Sequence, residues 1–267
     1  MLYLATTNHH VRADGFQKLI ETESSGMLSL IQAYAANEDG VNLGCDVFLY
    51  KPSSDSCAPT KNAFKQIVST KYPSKKPAPY PDQKIIYVDG GFDLFTPGHI
   101  EFLKQVVKTE VALAHTQGWN RDYSPIFVVA GIHDDDTIHK YKGLNYPIMN
   151  IYERGLCVLG CRYINAVIFC APWTLTPEFL RTLPYGPSKA VYHGPTKAHE
   201  EGQHDPYAVT KEMGLYREIG EHKYQHIQTR TIVDRILKNR EMYEARQRAK
   251  LAKAVGEEEI KAAEGGA

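Results

Sequence analysis

A chain of 267 residues with 43% hydrophobic and 23% charged side chains is long enough for one good domain with extensions, or for two small ones. Basic and acidic side chains both number 31. That balance argues against holding nucleic acid by overall charge, though not against a local cationic pocket for one phosphate ligand. No run approaches the ~18 apolar residues a membrane span needs, and five cysteines without a CxxC pair fit a reducing compartment. The expectation is a cytoplasmic protein with no membrane insertion and no nucleic-acid partner.

Residues 1–83 stand apart. Phe16–Glu23 and Met27–Ala36 have helical spacing, whereas Lys51–Thr60 and Lys71–Pro81 read as linkers. The second linker holds four prolines, which neither continue a helix nor donate to a sheet. A boundary is expected near residue 82: 1–83 a partly disordered extension, 84–240 the domain, 241–267 a charged helical tail.

Beyond that boundary, apolar runs of strand length alternate with helical periods. KIIYVDGG (84–91) reads as a strand, and 98–118 as a helix with Ile100, Leu103, Val106, Val107 and Val111 on one face. Strand 125–132, helix 150–163 and strand 166–171 follow. A short helix at 177–183 precedes strand 189–194. Another at 208–214 precedes a polar strand at 216–221. A last helix begins near Thr229, its stripe Ile232, Val233, Ile236 and Leu237 expected to pack. The fold class is therefore α/β: a Rossmann-like parallel sheet with helices on both faces, an irregular N-terminal extension and a C-terminal helix. Ligands in such sheets sit outside the carboxyl ends of the strands.

Asp89-Gly90-Gly91-Phe92-Asp93-Leu94-Phe95-Thr96-Pro97-Gly98-His99 follows the first of these strands. Paired glycines admit a ligand close to the backbone, and a helix start at Gly98-His99 offers free N–H groups to a phosphate. The same loop could equally be a set of turns with a capping aspartate. Asp134, Asp135 and Asp136 could cap a helix or hold a metal, but the flanking sequence supplies no second ligand set, so no metal site is assigned. Cys157 and Cys161, four apart, read as core residues.

DGGFDLFTPGH resembles the DGxFDxxHxGH signature of the cytidylyltransferases, of the HxGH nucleotidyltransferase superfamily. GIHDDDTIHKYKG (131–143), 146–173, VYHG (191–194) and IVDRILKNREMYEAR (232–246) agree in order and spacing. Together they resemble the second domain of the ethanolamine-phosphate cytidylyltransferases. MLYLATTNHH resembles the close of the first domain, which implies a piece of a two-domain protein with an upstream catalytic domain as partner.

The resemblance implies the reaction of CTP with phosphoethanolamine to CDP-ethanolamine and pyrophosphate, with Mg2+ accompanying CTP, and leaves a dimer open. It implies His99 and Lys142 as catalytic donors. Gly90, Gly91, Phe92, Asp93, Thr96, Gly98, Asp135, His193, Gly194, Thr229 and Arg230 would form the nucleotide site, and Glu153, Arg154 and Trp173 would contact the substrate. Each has an ordinary alternative: Lys142 a surface lysine, His193 a turn cap, Arg154 a structural ion pair, Trp173 packing.

Three departures accompany the likeness. The first histidine of HxGH is Thr96, HGDD reads His193-Gly194-Pro195-Thr196, and the late GxSTT-like motif keeps a hydroxyl only at Thr229. Losing one transition-state donor typically costs on the order of 10²–10³ in rate. The sequence thus points to a cytidylyltransferase domain that is weak or inactive alone; the alternative is a non-catalytic regulatory or structural ligand-binding domain. The tail past Tyr243 lacks the bulky apolar face of a membrane-sensing helix and is expected to be solvated or frayed.

Overall fold

The computed structural model describes residues 31, 45–51, 63–67, 79–143, 145–196, 199, 202 and 204–264. Two compact units divide the chain, Met1–Gln225 and His226–Ala267. The helices expected at Phe16–Glu23 and Met27–Ala36, and the linkers at Lys51–Thr60 and Lys71–Pro81, lie outside the described residues except for Ile31, Lys51 and residues 79–81.

The first unit is built on a seven-stranded sheet. Its strands are β1 (Asp46–Tyr50), β2 (Phe64–Gln66), β3 (Lys84–Gly90), β4 (Ile126–Ile132), β5 (Ala166–Phe169), β6 (Ala190–His193) and β7 (Tyr216–Glu218), in the order β2-β1-β5-β4-β3-β6-β7. Pairings are parallel except that of β1 with β2. Period-two alternation along β3 sends Ile86 and Val88 to one face and Ile85 and Tyr87 to the other. The first pair packs with Leu103 and Val106 of helix α1 (Pro97–Thr116) and with Ile151 and Val158 of α3 (Ile151–Leu159). The second packs with Phe179 and Leu180 of α4 (Pro177–Arg181) and with Tyr207. Helices thus cover both faces, as the apolar strands require.

β1 and β2 correct the sequence reading of 1–83 as an extension outside the domain. β1 pairs in register with β5 from Asp46↔Ala166 to Leu49↔Phe169, and Val47 and Leu49 are fully or nearly buried. These residues therefore belong to the core.

Local chemistry sets the helix starts. Asp134 caps α2 (Asp135–Lys142), accepting from the Thr137 N–H at 2.9 Å and its hydroxyl at 2.7 Å. Asn150 caps α3 by accepting from Tyr152 and Glu153 N–H groups, and Glu153 returns the bond to the Asn150 N–H at 2.8 Å, a capping box. Thr176 caps α4 with Pro177 at its first position. Helix α2 was hidden in the sequence behind its acidic start. On α1 the buried stripe is Phe102, Leu103, Val106, Glu110 and Ala114, while Ile100 faces out at 42% exposure. Glu110 is held inside by Tyr192 and Arg217. A short helix α5 (Ala208–Glu212) precedes β7.

The second unit carries α6 (Thr229–Lys238) and α7 (Arg240–Glu264). None of the α6 residues is buried, so the stripe expected to pack has no interior member. α7 continues as one helix to Glu264, with Leu251 and Val255 exposed. No described helix is long and apolar enough to cross a membrane.

Candidate active site

From β3 the chain moves to β4 and β5 on one side, then returns to place β6 on the other. That reversal makes the carboxyl end of β3 a topological switch point, where open α/β sheets bind ligands. A cleft of about 390 Å³, its open mouth included, lies there. Gly90, Gly91, Lys142, Trp173 and His193 line it, as do Asp89, His133, Thr196, Pro206 and Tyr207.

The turn after β3 is backbone under strain. Phe92, Leu94 and Phe95 have φ of 50°, 54° and 32°, in the left-handed region that costs ordinary residues about 1–3 kcal/mol each. Two buried groups hold it. Asp93 accepts from the Ile148 and Met149 N–H groups at 3.0 and 2.9 Å. Arg154, 0% exposed, donates to Gly91 O at 2.7 Å, His133 O at 2.8 Å and Met149 O at 3.0 Å. Its remaining partner is Asp135 at 2.6 Å, itself 0% exposed. Burial alone lowers the Arg154 pKa, and Asp135 opposes that shift. The guanidinium is thus spent on holding the turns after β3 and β4 side by side. Arg154 and Asp135 thus stand in an internal clamp and are not among the residues lining the cleft.

Gly91 belongs to the same turn. A Cβ there would stand 3.2 Å from Ile138 and 3.8 Å from the Lys142 ammonium, so the missing side chain lets that cation approach the backbone.

Thr96 and His99 share the start of α1. The Thr96 N–H donates to His99 Nδ1 at 2.9 Å, so that nitrogen is an acceptor and a neutral ring carries its proton on Nε2. Burial and then the nearby Lys142 lower the His99 pKa to about 4. The ring at neutral pH is therefore an uncharged N–H donor. Thr96 is 3% exposed, with its hydroxyl 3.3 Å from the same Nδ1; this residue serves the helix start and does not line the cleft.

The other end of the cleft pairs aromatic rings with buried polar atoms. Tyr141 stacks on Trp173 with centroids 4.5 Å apart, and His133 lies against Trp173 at 5.1 Å. Tyr207 packs on His193 at 5.0 Å and donates its hydroxyl to Asp89 Oδ1. Asp89 Oδ2 is buried without a partner. Burial raises the Asp89 pKa to about 7 and the Tyr207 bond only partly opposes it. His193 Nδ1 donates to Gly194 O at 2.8 Å, leaving Nε2 as the ring's other nitrogen.

Among the remaining candidates, Phe92 and Asp93 shape the turn. Gly98 lies in the first turn of α1, and Gly194 follows β6. Glu153 is exposed and caps α3, apart from the cleft lining. Thr229 and Arg230 open α6 in the second unit. Asp89, His133 and Tyr207 were not singled out from the sequence. A lone aspartate closing the apolar run KIIYV is the signal that could have found the first of them. Among the described residues no group of three His, Cys, Asp or Glu side chains gathers to hold a metal.

A parallel sheet with its cleft at the switch point and paired glycines against a lysine make a nucleotidyl-transfer class of site. The cytidylyltransferase-like family profile matches residues 87–244, and the chain belongs to that family. It is 42% identical over 181 residues to ethanolamine-phosphate cytidylyltransferase of Dictyostelium discoideum, covering 67% of this chain and 44% of that protein. To the enzyme of the same name from Mus musculus it is 40% identical, with 66% and 39% covered. Choline-phosphate cytidylyltransferase A of Rattus norvegicus is 32% identical over 60% of this chain and 38% of its own length. The chain thus spans about two fifths of the curated relatives it matches.

Proposed function

We propose that the cleft binds CTP and phosphoethanolamine and transfers the cytidylyl group slowly, as one domain of a longer ethanolamine-phosphate cytidylyltransferase whose upstream domain would be its partner. One observation carries this reading: Gly91 of the turn after β3, Lys142 at the end of α2 and His193 at the end of β6 border the same cleft as the acid Asp89 and the aromatic Trp173 and Tyr207. The first group suits phosphate. The second suits an alkylammonium, because a carboxylate supplies countercharge and aromatic faces attract cations.

In the reaction, a phosphate oxygen of phosphoethanolamine attacks the α-phosphorus of CTP. A new P–O bond forms as the bond to pyrophosphate breaks, so no protein nucleophile is required. Catalysis then rests on positioning and on stabilising charge. Gly90 and Gly91 allow close approach, Lys142 supplies positive charge, and His99 supplies a neutral Nε2–H. Two of the carboxylates near the cleft have internal partners: Asp93 accepts from two backbone N–H groups and Asp135 pairs with Arg154. An ion accompanying CTP would be held by the nucleotide's own phosphates.

A second reading, a ligand-binding domain without turnover, is favoured by Thr96, which offers no charge and is taken up with the start of α1. Titration calorimetry with CTP and magnesium, together with a radiolabel assay for CDP-ethanolamine, separates the two. Binding with slow turnover is expected, and Lys142→Ala should lower that rate by about 10²-fold or more. Binding without any product selects the second reading; no CTP binding removes both.

A further inference from the structure

We infer that His133, with Asp89, makes the cleft select a primary ammonium over a quaternary one; this rests on the phosphoalcohol reading above. His133 follows β4, lines the cleft and is 3% exposed. Its orientation is fixed at three points. The ring Nδ1 is 3.1 Å from Ala171 O, its carbonyl accepts from Arg154 at 2.8 Å, and its N–H donates to Gly90 O at 3.3 Å. A carbonyl oxygen only accepts, so Nδ1 carries the hydrogen and Nε2 of the neutral ring keeps its lone pair. Neutrality is secured by burial, which lowers the ring's pKa to about 4, with Lys142 and Arg154 adding to the shift and Ala171 opposing it.

Two residues from adjacent strands therefore line the cleft with an acceptor to offer: His133 through Nε2 and Asp89, when ionised, through its unpartnered Oδ2. Trp173 and Tyr207 attract any organic cation and do not discriminate between them. Hydrogen bonding does. A primary ammonium has three N–H donors to offer these acceptors, whereas a trimethylated nitrogen has none and leaves both desolvated and unpaired. Sites built to hydrogen-bond one substrate reject an analogue that lacks the donor far more strongly than apolar pockets reject a change of size.

The test is calorimetric binding of phosphoethanolamine and of phosphocholine to the full chain, each with CTP and magnesium present. Wild type should favour phosphoethanolamine by at least about tenfold. His133→Leu should shrink that ratio by about tenfold while CTP affinity stays within about twofold, and His133→Gln, which keeps an acceptor, should restore most of it. Circular dichroism confirms folding, and should His133→Leu not fold, the Gln variant against His133→Asn gives the same comparison. A ratio of one in wild type, or a ratio unmoved by His133→Leu, overturns the inference and leaves the cytidylyltransferase reading standing. CTP binding with neither phosphoalcohol bound overturns the inference and the substrate reading together.

Discussion

Asp89 is a carboxyl whose two oxygens live differently. One takes a hydrogen bond from Tyr207 and the other is buried without any, so removal from water outweighs the bond and the folded pKa rises to about 7. The unfolded chain titrates near 4. Between those values the folded protein holds the proton more tightly, so this residue's contribution is fully present below pH ~4 and is lost as pH rises through 7. Asp89→Asn should therefore gain stability relative to wild type between pH 5 and pH 8, by several degrees in melting temperature. Thermal scans across that range check it; a constant difference would mean that the carboxyl ionises normally. His99 and His133 act in the opposite sense. Their folded pKa values of about 4 lie below the free value, so their contribution is present above pH ~6.5 and lost as pH falls toward 4. Asp89→Asn isolates the first effect because the histidines titrate in both proteins.

At the scale of elements, the site depends on how α2 and α3 are fastened to the strands. Gly155 lies where α3 crosses β5, and a Cβ there would come within 2.3 Å of the Phe169 ring. Gly155→Ala should destabilise by about 1–3 kcal/mol through overpacking, measured by urea unfolding. Arg154→Ala removes the ion-pair partner of the buried Asp135 and frees the strained turn, with an expected loss of about 3–5 kcal/mol and weakened CTP binding by calorimetry.

Most of these elements were legible from local pattern: the apolar runs of β3 to β6, the period of α1 and α3, the start of α6 at Thr229. What was not legible involves distance. β1 is five residues whose burial comes from β5, 120 positions along the chain in its Asp46↔Ala166 pairing, and nothing beside it in sequence announces that partner. The same holds for the site. Arg154 and Trp173 sat in recognisable motifs, but only folding shows the guanidinium turned inward and the indole turned to the cleft. Asp89, His133 and Tyr207 meet because parallel strands bring their ends together.

For the molecule as a whole, the sheet begins before the stretch that looks like the domain. A version starting at residue 79 lacks β1 and β2 and uncovers β5 along the edge that β1 occupies. Its unpaired N–H and C=O groups would invite association with other chains. Such a version should melt lower and form larger species in light scattering, whereas a version starting at residue 45 should stay closer to the full chain. Equal behaviour of the two would show that the sheet stands without its first strands.

Arg154 reaches the carbonyls of both Gly91 and His133, and this has a kinetic corollary. Two lips of the cleft share this rivet, so opening one pulls on the other. Phosphate and amine ends of a ligand should consequently register the loss of that rivet at the same moment, with one relaxation in stopped-flow binding where two independent flaps would give two.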